Sequence, residues 1–194
     1  MNRKKKRQQL KRLVEKSIVR DEEKQRIKWS ASSSTKEVLL VLHSSFGGLD
    51  EMQVQRSRML YGRNEITLVE HKDKMRRILE SLVTHPTCSV IRKMENEVKI
   101  PRKELVVGDI VQLQEGDEVP ADLRVLYAEN LMVNQKPVTG EDTPAKKDAE
   151  ICRTQKERVA DYENIMLMGT FVIEGTAQAI VLSVGDHTMK GTLS

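Results

Sequence analysis

Beyond His85-Pro86 the chain never sustains a helical period. "CSVIRK", "EVKI", "DIVQL", "DLRVLYA", "MLMGTFVI" and "TAQAIVLSV" are short, rich in β-branched residues and separated by turn residues. That spacing predicts an antiparallel β-domain, a distorted barrel or jelly roll. Its core must be built from Val, Ile and Leu, because aromatic residues make up only 3% of the 194-residue chain. No internal repeat is visible.

The front of the chain has a different texture. Residues 1–28 read as a basic helix, with Leu10, Leu13, Val14 and Ile18 at helical spacing among Lys and Arg. Trp29 ends it, and the run "SASSST", residues 30–35, reads as a flexible linker by composition. Two short helices follow. Thr35 is the expected cap of the first, which runs through Leu42; Gly47-Gly48 breaks the chain. Asp50 is the expected cap of the second, which carries Met52, Val54 and Met59 and ends near Gly62. A further helical segment is expected near Asp73 to Val83, stopped by His85-Pro86. The organisation is therefore α+β. A basic amphipathic tail (1–30) precedes a helical part (31–70) and a β-rich core (71–194).

Charge sharpens this division. Residues 1–28 hold twelve Lys/Arg and four Asp/Glu, and the remainder holds 21 basic and 25 acidic residues. The basic character belongs to the tail; the body is mildly acidic. The hydrophobic share, 38%, is low for a globular domain, as a polar tail would make it. Cys88 and Cys152 show no metal spacing and are read as reduced thiols of a cytosolic protein. His43, His71, His85 and His187 are scattered and form no ligand set, so neither a metal nor a cofactor site is expected in this chain. The longest apolar run, Val38 to Leu42, falls far short of the ~20 residues a membrane span needs, and the chain as given reads as soluble.

Three blocks in the β-region carry a resemblance. They are "VVGDIVQLQEGDEVPADLRVL", "NLMVNQKPVTGEDTPAKK" and "GTFVIEGTAQAIVLSVGDHTMKG". In order and spacing they resemble the actuator domain of P-type ATPases. Thr139-Gly140-Glu141 matches that family's Thr-Gly-Glu loop, and Gly108-Asp109, Gly116-Asp117, Pro120-Ala121-Asp122, Gly169-Thr170, Gly175, Gly185, Thr188 and Gly191 support it. "GLDEMQVQRSRMLYGRNEI" is similar to the N-terminal helical part of cation pumps. In those pumps a transmembrane helix pair separates the two parts. Here they join near Glu65 to Lys74, so the resemblance implies an actuator domain whose first membrane pair is missing. The run Gly175 to Ala179 looks most like the magnesium-transporting members; calcium-type pumps are the alternative.

The resemblance implies a division of labour. The Asp-Lys-Thr-Gly-Thr phosphorylation motif and any nucleotide site are absent from this sequence. Mg²⁺ and ATP would serve the full-length pump, through its phosphorylation and nucleotide-binding domains. Glu141 would then act on the aspartyl phosphate of another domain, orienting and deprotonating the attacking water. Gly140 would let the backbone approach, and Thr139 would hold the loop through side-chain-to-backbone bonding. The parent protein would sit at the cytoplasmic face of a bacterial inner membrane, with its transmembrane helices as further partners. One position departs from the family pattern: Asp142 stands where Ser is usual, and Lys146, Lys147 or Mg²⁺ would have to offset its charge.

Each of these features has a plainer reading beside it. "PVTGEDTPAKK" is also an acceptable surface turn. Pro120-Ala121-Asp122 reads as structural, and Lys146 and Lys147 as a solvated basic face rather than a contact with partner domains. Residues 3–28 suit an anionic lipid surface. Nucleic acid is disfavoured, because the tail carries one aromatic, Trp29, and the body is acidic. A non-catalytic module that binds lipid or nucleic acid through its basic tail therefore stands as the competing function.

Overall fold

The computed structural model describes residues 3–67, 86–93 and 96–191. The helix expected near Asp73 to Val83, and most of the join after Glu65, lie outside the described residues. Three helices come first: α1 (Arg3–Ser32), α2 (Thr35–Val41) and α3 (Glu51–Tyr61). Seven strands follow: β1 (Thr87–Arg92), β2 (Asn96–Pro101), β3 (Ile110–Gln114), β4 (Asp122–Asn134), β5 (Ala145–Lys146), β6 (Ile165–Met166) and β7 (Phe171–Ser183). A single helical turn, α4 (Lys136–Thr139), sits between β4 and β5.

The strands form one antiparallel sheet in the order β2-β1-β3-β7-β4-β5, with β6 on β4. The path does not close. Where β3, the start of β4 and the end of β7 meet, both faces of the sheet are buried, which explains the unbroken runs of Val, Ile and Leu there. Val90, Val111, Ala179 and Val181 point into one core. Their neighbours Ile91, Ile110, Ile180 and Leu182 point into the other, where Ile27 and Ala31 of α1 and Val38 of α2 cover them. Strand parity thus sends alternate side chains to two cores rather than to core and solvent.

The serine-rich run is where the sequence reading fails. It is no linker, and Trp29 does not end α1. The helix continues to Ser32, and Ser34 caps α2 in place of Thr35. The Ser34 side chain accepts from the Glu37 N–H, and Glu37 reaches back to the Ser34 N–H, closing a capping box. Ser30, and Ser33 just past the end of α1, donate to the carbonyls of Ile27 and Trp29, so hydroxyls that usually favour loops are satisfied by the helix backbone. Small side chains also let the helix sit close on the sheet. Ser30 O accepts from Arg124 Nε at 3.0 Å, and Ala31 O accepts from Cys152 N and Asn164 Nδ2. Ile18, expected on the apolar stripe, is exposed; the docked stripe is Glu23, Ile27 and Ala31.

The α2–α3 hairpin follows expectation at its caps and departs from it at its face. Asp50 caps α3 in a capping box with Gln53, and Gly62 ends it. The buried positions are Val54 and Ser57, whereas Met52 and Met59 are each 81% exposed. Ser57 Oγ donates to Val107 O at 2.7 Å, which ties α3 to the β-region. Arg26 of α1 lies over the Tyr61 ring, 5.3 Å from its centroid. Asn64 closes this end: its Nδ2 donates to the carbonyls of Arg102 and Pro120, and its Oδ1 accepts from Gly185 N.

Pro120-Ala121-Asp122 leads into β4. Asp122 is fully buried, and its carboxylate accepts from Met168 N at 2.9 Å and Met189 N at 2.6 Å. Burial pushes this carboxyl up to about 7; the two N–H bonds pull it down, and nearby Glu23 adds to the rise. Because the folded value lies above the ordinary one, the folded state keeps a proton that the unfolded chain releases. That contribution to stability is complete below about pH 4 and is lost as the pH climbs through about 7. Urea unfolding at pH 5 and pH 8 should therefore show wild type losing ground to Asp122→Asn as pH rises. A gap that is constant or widens with pH would refute this.

Candidate functional site

Strand β4 runs outward from the core and ends just before Gln135, which is still buried. Leu131 and Val133 are buried on it, and β5 returns alongside, pairing Met132 with Lys146 and Val133 with Ala145. The intervening loop therefore stands on two paired strands, a rigid base for a projecting group. Its first part is α4, with Pro137 in the opening turn, where a missing N–H costs nothing. Gln135 O accepts from Val138 N, Thr139 N and Thr139 Oγ1. Gly140 ends the turn in the left-handed region, φ 78°, and donates to Lys136 O. A Cβ there would meet nothing within 4 Å, so within this chain the glycine answers to its backbone angle rather than to crowding.

Thr139 works in both directions. Its hydroxyl donates to Gln135 O at 3.0 Å and accepts from Glu141 N at 3.1 Å. The two bonds set where Glu141 leaves the turn. Glu141 and Asp142 are exposed at the tip. Glu141 pairs with Arg158, Nη1 to Oε1 at 2.6 Å, and Asp142 pairs with Lys136 at 2.6 Å. Arg158 also holds Asp161, in the short 3-10 turn Val159–Asp161, through Nε at 3.1 Å and Nη2 at 2.8 Å. These bonds to Asp161, then to Glu141, raise the guanidinium above its ordinary range, so it stays charged.

Lys147 does not lie on a solvated basic face. It is buried, and its Nζ donates to Ala160 O at 2.9 Å and Tyr162 O at 2.8 Å. Burial lowers this amine to about 8, against the pull of Glu163 and Asp161. It anchors the base of the loop to the segment that carries Arg158. Neither lysine expected to offset Asp142 pairs with it: Lys147 is turned inward and Lys146 is exposed, and the contacting cation is Lys136, which the sequence reading did not name. Arg158 itself escaped the sequence reading, because 17 residues separate it from Glu141 and no local pattern joins them.

Among the described residues no group of three or more His, Cys, Asp or Glu is arranged to hold a metal ion. Cys88 and Cys152 are free thiols. No described helix is long and apolar enough to cross a membrane.

The comparisons with known proteins agree with this geometry. The family described as "P-type ATPase actuator domain" matches residues 82–194, the whole β-region with its loop. The chain belongs to the P-type ATPases, as their actuator domain. A second family, "Cation transporter/ATPase, N-terminus", matches residues 30–91 of this actuator domain. Among curated relatives, the "Magnesium-transporting ATPase, P-type 1" of Escherichia coli (strain K12) is 37% identical over 121 residues, covering 60% of this chain and 13% of that protein. The "Probable cation-transporting ATPase F" of Mycobacterium tuberculosis is 42% identical over 115 residues, covering 59% and 12%. The "Sodium/potassium-transporting ATPase subunit alpha" of Drosophila melanogaster is 34% identical over 125 residues, covering 63% and 12%. The actuator domain thus spans about an eighth of the length of the first of these relatives.

Proposed function

We propose that this actuator domain supplies the water-handling step of a cation pump, and that the cation is magnesium. The observation that carries the first part is Glu141: an exposed carboxylate at the tip of a two-stranded base, its exit set by the Thr139 hydroxyl. The reaction it serves is hydrolysis of an aspartyl phosphate on another domain of the pump. Water oxygen bonds to phosphorus, the bond from phosphorus to the aspartyl oxygen breaks, and its electron pair returns to the aspartate. Glu141 takes the proton that water gives up. Nothing in this chain need bind nucleotide. Mg²⁺ and ATP act on the pump's other domains, which with its transmembrane helices are the expected partners at the cytoplasmic face of the membrane.

Magnesium as cargo is supported by the Escherichia coli relative, whose name states it. The test for the whole reading is the breakdown of phosphoenzyme in a pump that carries this segment, with Glu141 intact and with Glu141→Gln. The test for the cargo is which divalent ion stimulates that pump's ATP turnover.

The basic helix supports a second role. α1 is continuous from Arg3 to the docked residues Ile27 and Ala31, so its basic stretch and its docked end belong to one helix. We propose that residues 3–28 lie on anionic lipid, each basic residue near the surface contributing ~1 kcal/mol. Sedimentation with phosphatidylglycerol vesicles should fall steeply with salt and vanish on neutral phosphatidylcholine; equal binding to both would exclude it.

A further inference from the structure

Arg158 sits beside Glu141 at the loop tip. Its guanidinium is shared between two carboxylates, and the shares are unequal. Asp161, three residues on in the same 3-10 turn, takes a two-point grip at 3.1 and 2.8 Å. Glu141 takes one short bond at 2.6 Å and a second at 3.5 Å, the limit for a hydrogen bond. Asp161 is the fixed anchor and Glu141 the exchangeable partner. The exchange is cheap, because the side chains of Arg158 and Glu141 are 51% and 57% exposed and water screens their attraction.

The charges at the loop tip show why an exchange is needed. Among the described residues, Glu141, Asp142 and Asp161 face Lys136 and Arg158 as contacting cations, and the Lys136 ammonium is already on Asp142. A dianionic phosphoryl group approaching this tip meets one negative charge in excess. It needs a cation that can turn toward it. A carboxylate engaged by a guanidinium also cannot offer the same lone pair to a water proton.

We infer that Arg158 is a phosphoryl-contacting residue: on docking, its outer Nη1 passes from Glu141 to the phosphoryl oxygens, while Asp161 holds the guanidinium in place. One event then seats the phosphoryl group and frees the base. The planar fork of arginine suits two phosphoryl oxygens at once, which an ammonium does not. The inference rests on the role proposed for Glu141.

The experiment uses the intact pump with this segment as its actuator domain. It compares wild type, Arg158→Ala, Arg158→Lys and Glu141→Gln for phosphoenzyme decay and for inhibition by orthovanadate, a pentavalent phosphoryl analogue. Arg158→Ala should slow decay on the order of 10²-fold, as loss of one preorganised charged donor does. It should also need more vanadate for half-inhibition, and Arg158→Lys should fall between it and wild type. Free guanidinium ion at millimolar concentration should restore part of the decay rate in Arg158→Ala and none in Glu141→Gln, a rescue that a purely structural role would not show. Decay in Arg158→Ala at or above the wild-type rate, with vanadate sensitivity unchanged, makes Arg158 a surface clamp and overturns the inference. If Glu141→Gln is slow in the same series, that failure is confined to Arg158. If Glu141→Gln decays like wild type, the role of Glu141 falls and takes this inference with it.

Discussion

Glu141→Gln should leave phosphoenzyme formation intact and slow its breakdown by about 10²–10⁴-fold, the usual worth of a positioned general base. The amide keeps the shape of the side chain and loses only the ability to take a proton. The loop should survive the change. Its turn is held by Thr139, Gly140 and the Gln135 carbonyl, none of which involves the Glu141 side chain. The lost pairing with Arg158 is half exposed and screened by water, so the melting temperature should barely move. Rapid quench of labelled phosphoenzyme measures the decay directly. Unchanged decay would reduce the Thr-Gly-Glu loop to a surface turn and bring forward the non-catalytic, basic-tailed module.

Gly175→Ala should be among the most damaging single changes to stability. Gly175 lies in β7 at φ 81°, opposite a register shift in β4 between Glu129 and Met132. A Cβ there would stand 2.2 Å from Glu129 O and 2.4 Å from Asn130 O, both backbone atoms in the longest strand pairing of the sheet. Backbone has nowhere to retreat without breaking that ladder. The left-handed angle alone costs an ordinary residue about 1–2 kcal/mol. Adding the clash, we expect a loss of about 3 kcal/mol or more, within the range of severe single changes. At ~2–4 °C per kcal/mol for a chain of this size, the melting temperature should fall by about 6–12 °C. Gly116→Ala is the control. Gly116 has a similar angle, φ 89°, but a Cβ there meets nothing within 4 Å. It should lose only the angular part. Calorimetry giving the two variants equal losses would refute the steric account. The run Gly175 to Ala179 was singled out as a pointer to the transported ion; its glycine answers first to the bulge beside it.

Features written within a few neighbouring residues could be read without coordinates. The short β-branched runs became strands, because pleat and burial on both faces select the same side chains along each run. Asp50 was legible as a cap because its capping-box partner, Gln53, lies three residues away. The loop was legible because Thr139, Gly140 and Glu141 are adjacent, and their bonds close within seven residues, from Gln135 to Glu141.

What depended on distant partners could not be read this way. "SASSST" has the composition of a linker, yet Arg124, Cys152 and Asn164 hold its helix on the sheet from more than ninety residues away. Lys146 and Lys147 are identical in the sequence, and strand parity at the end of β5 leaves one in water and seats the other on Ala160 O and Tyr162 O. Arg158 is one of 33 basic residues until folding sets its guanidinium beside Glu141. Local chemistry writes caps, turns and periodicity into the chain directly. Burial, and the partner a charge finds, are settled only when remote segments meet, because both depend on what the rest of the chain places around each side chain.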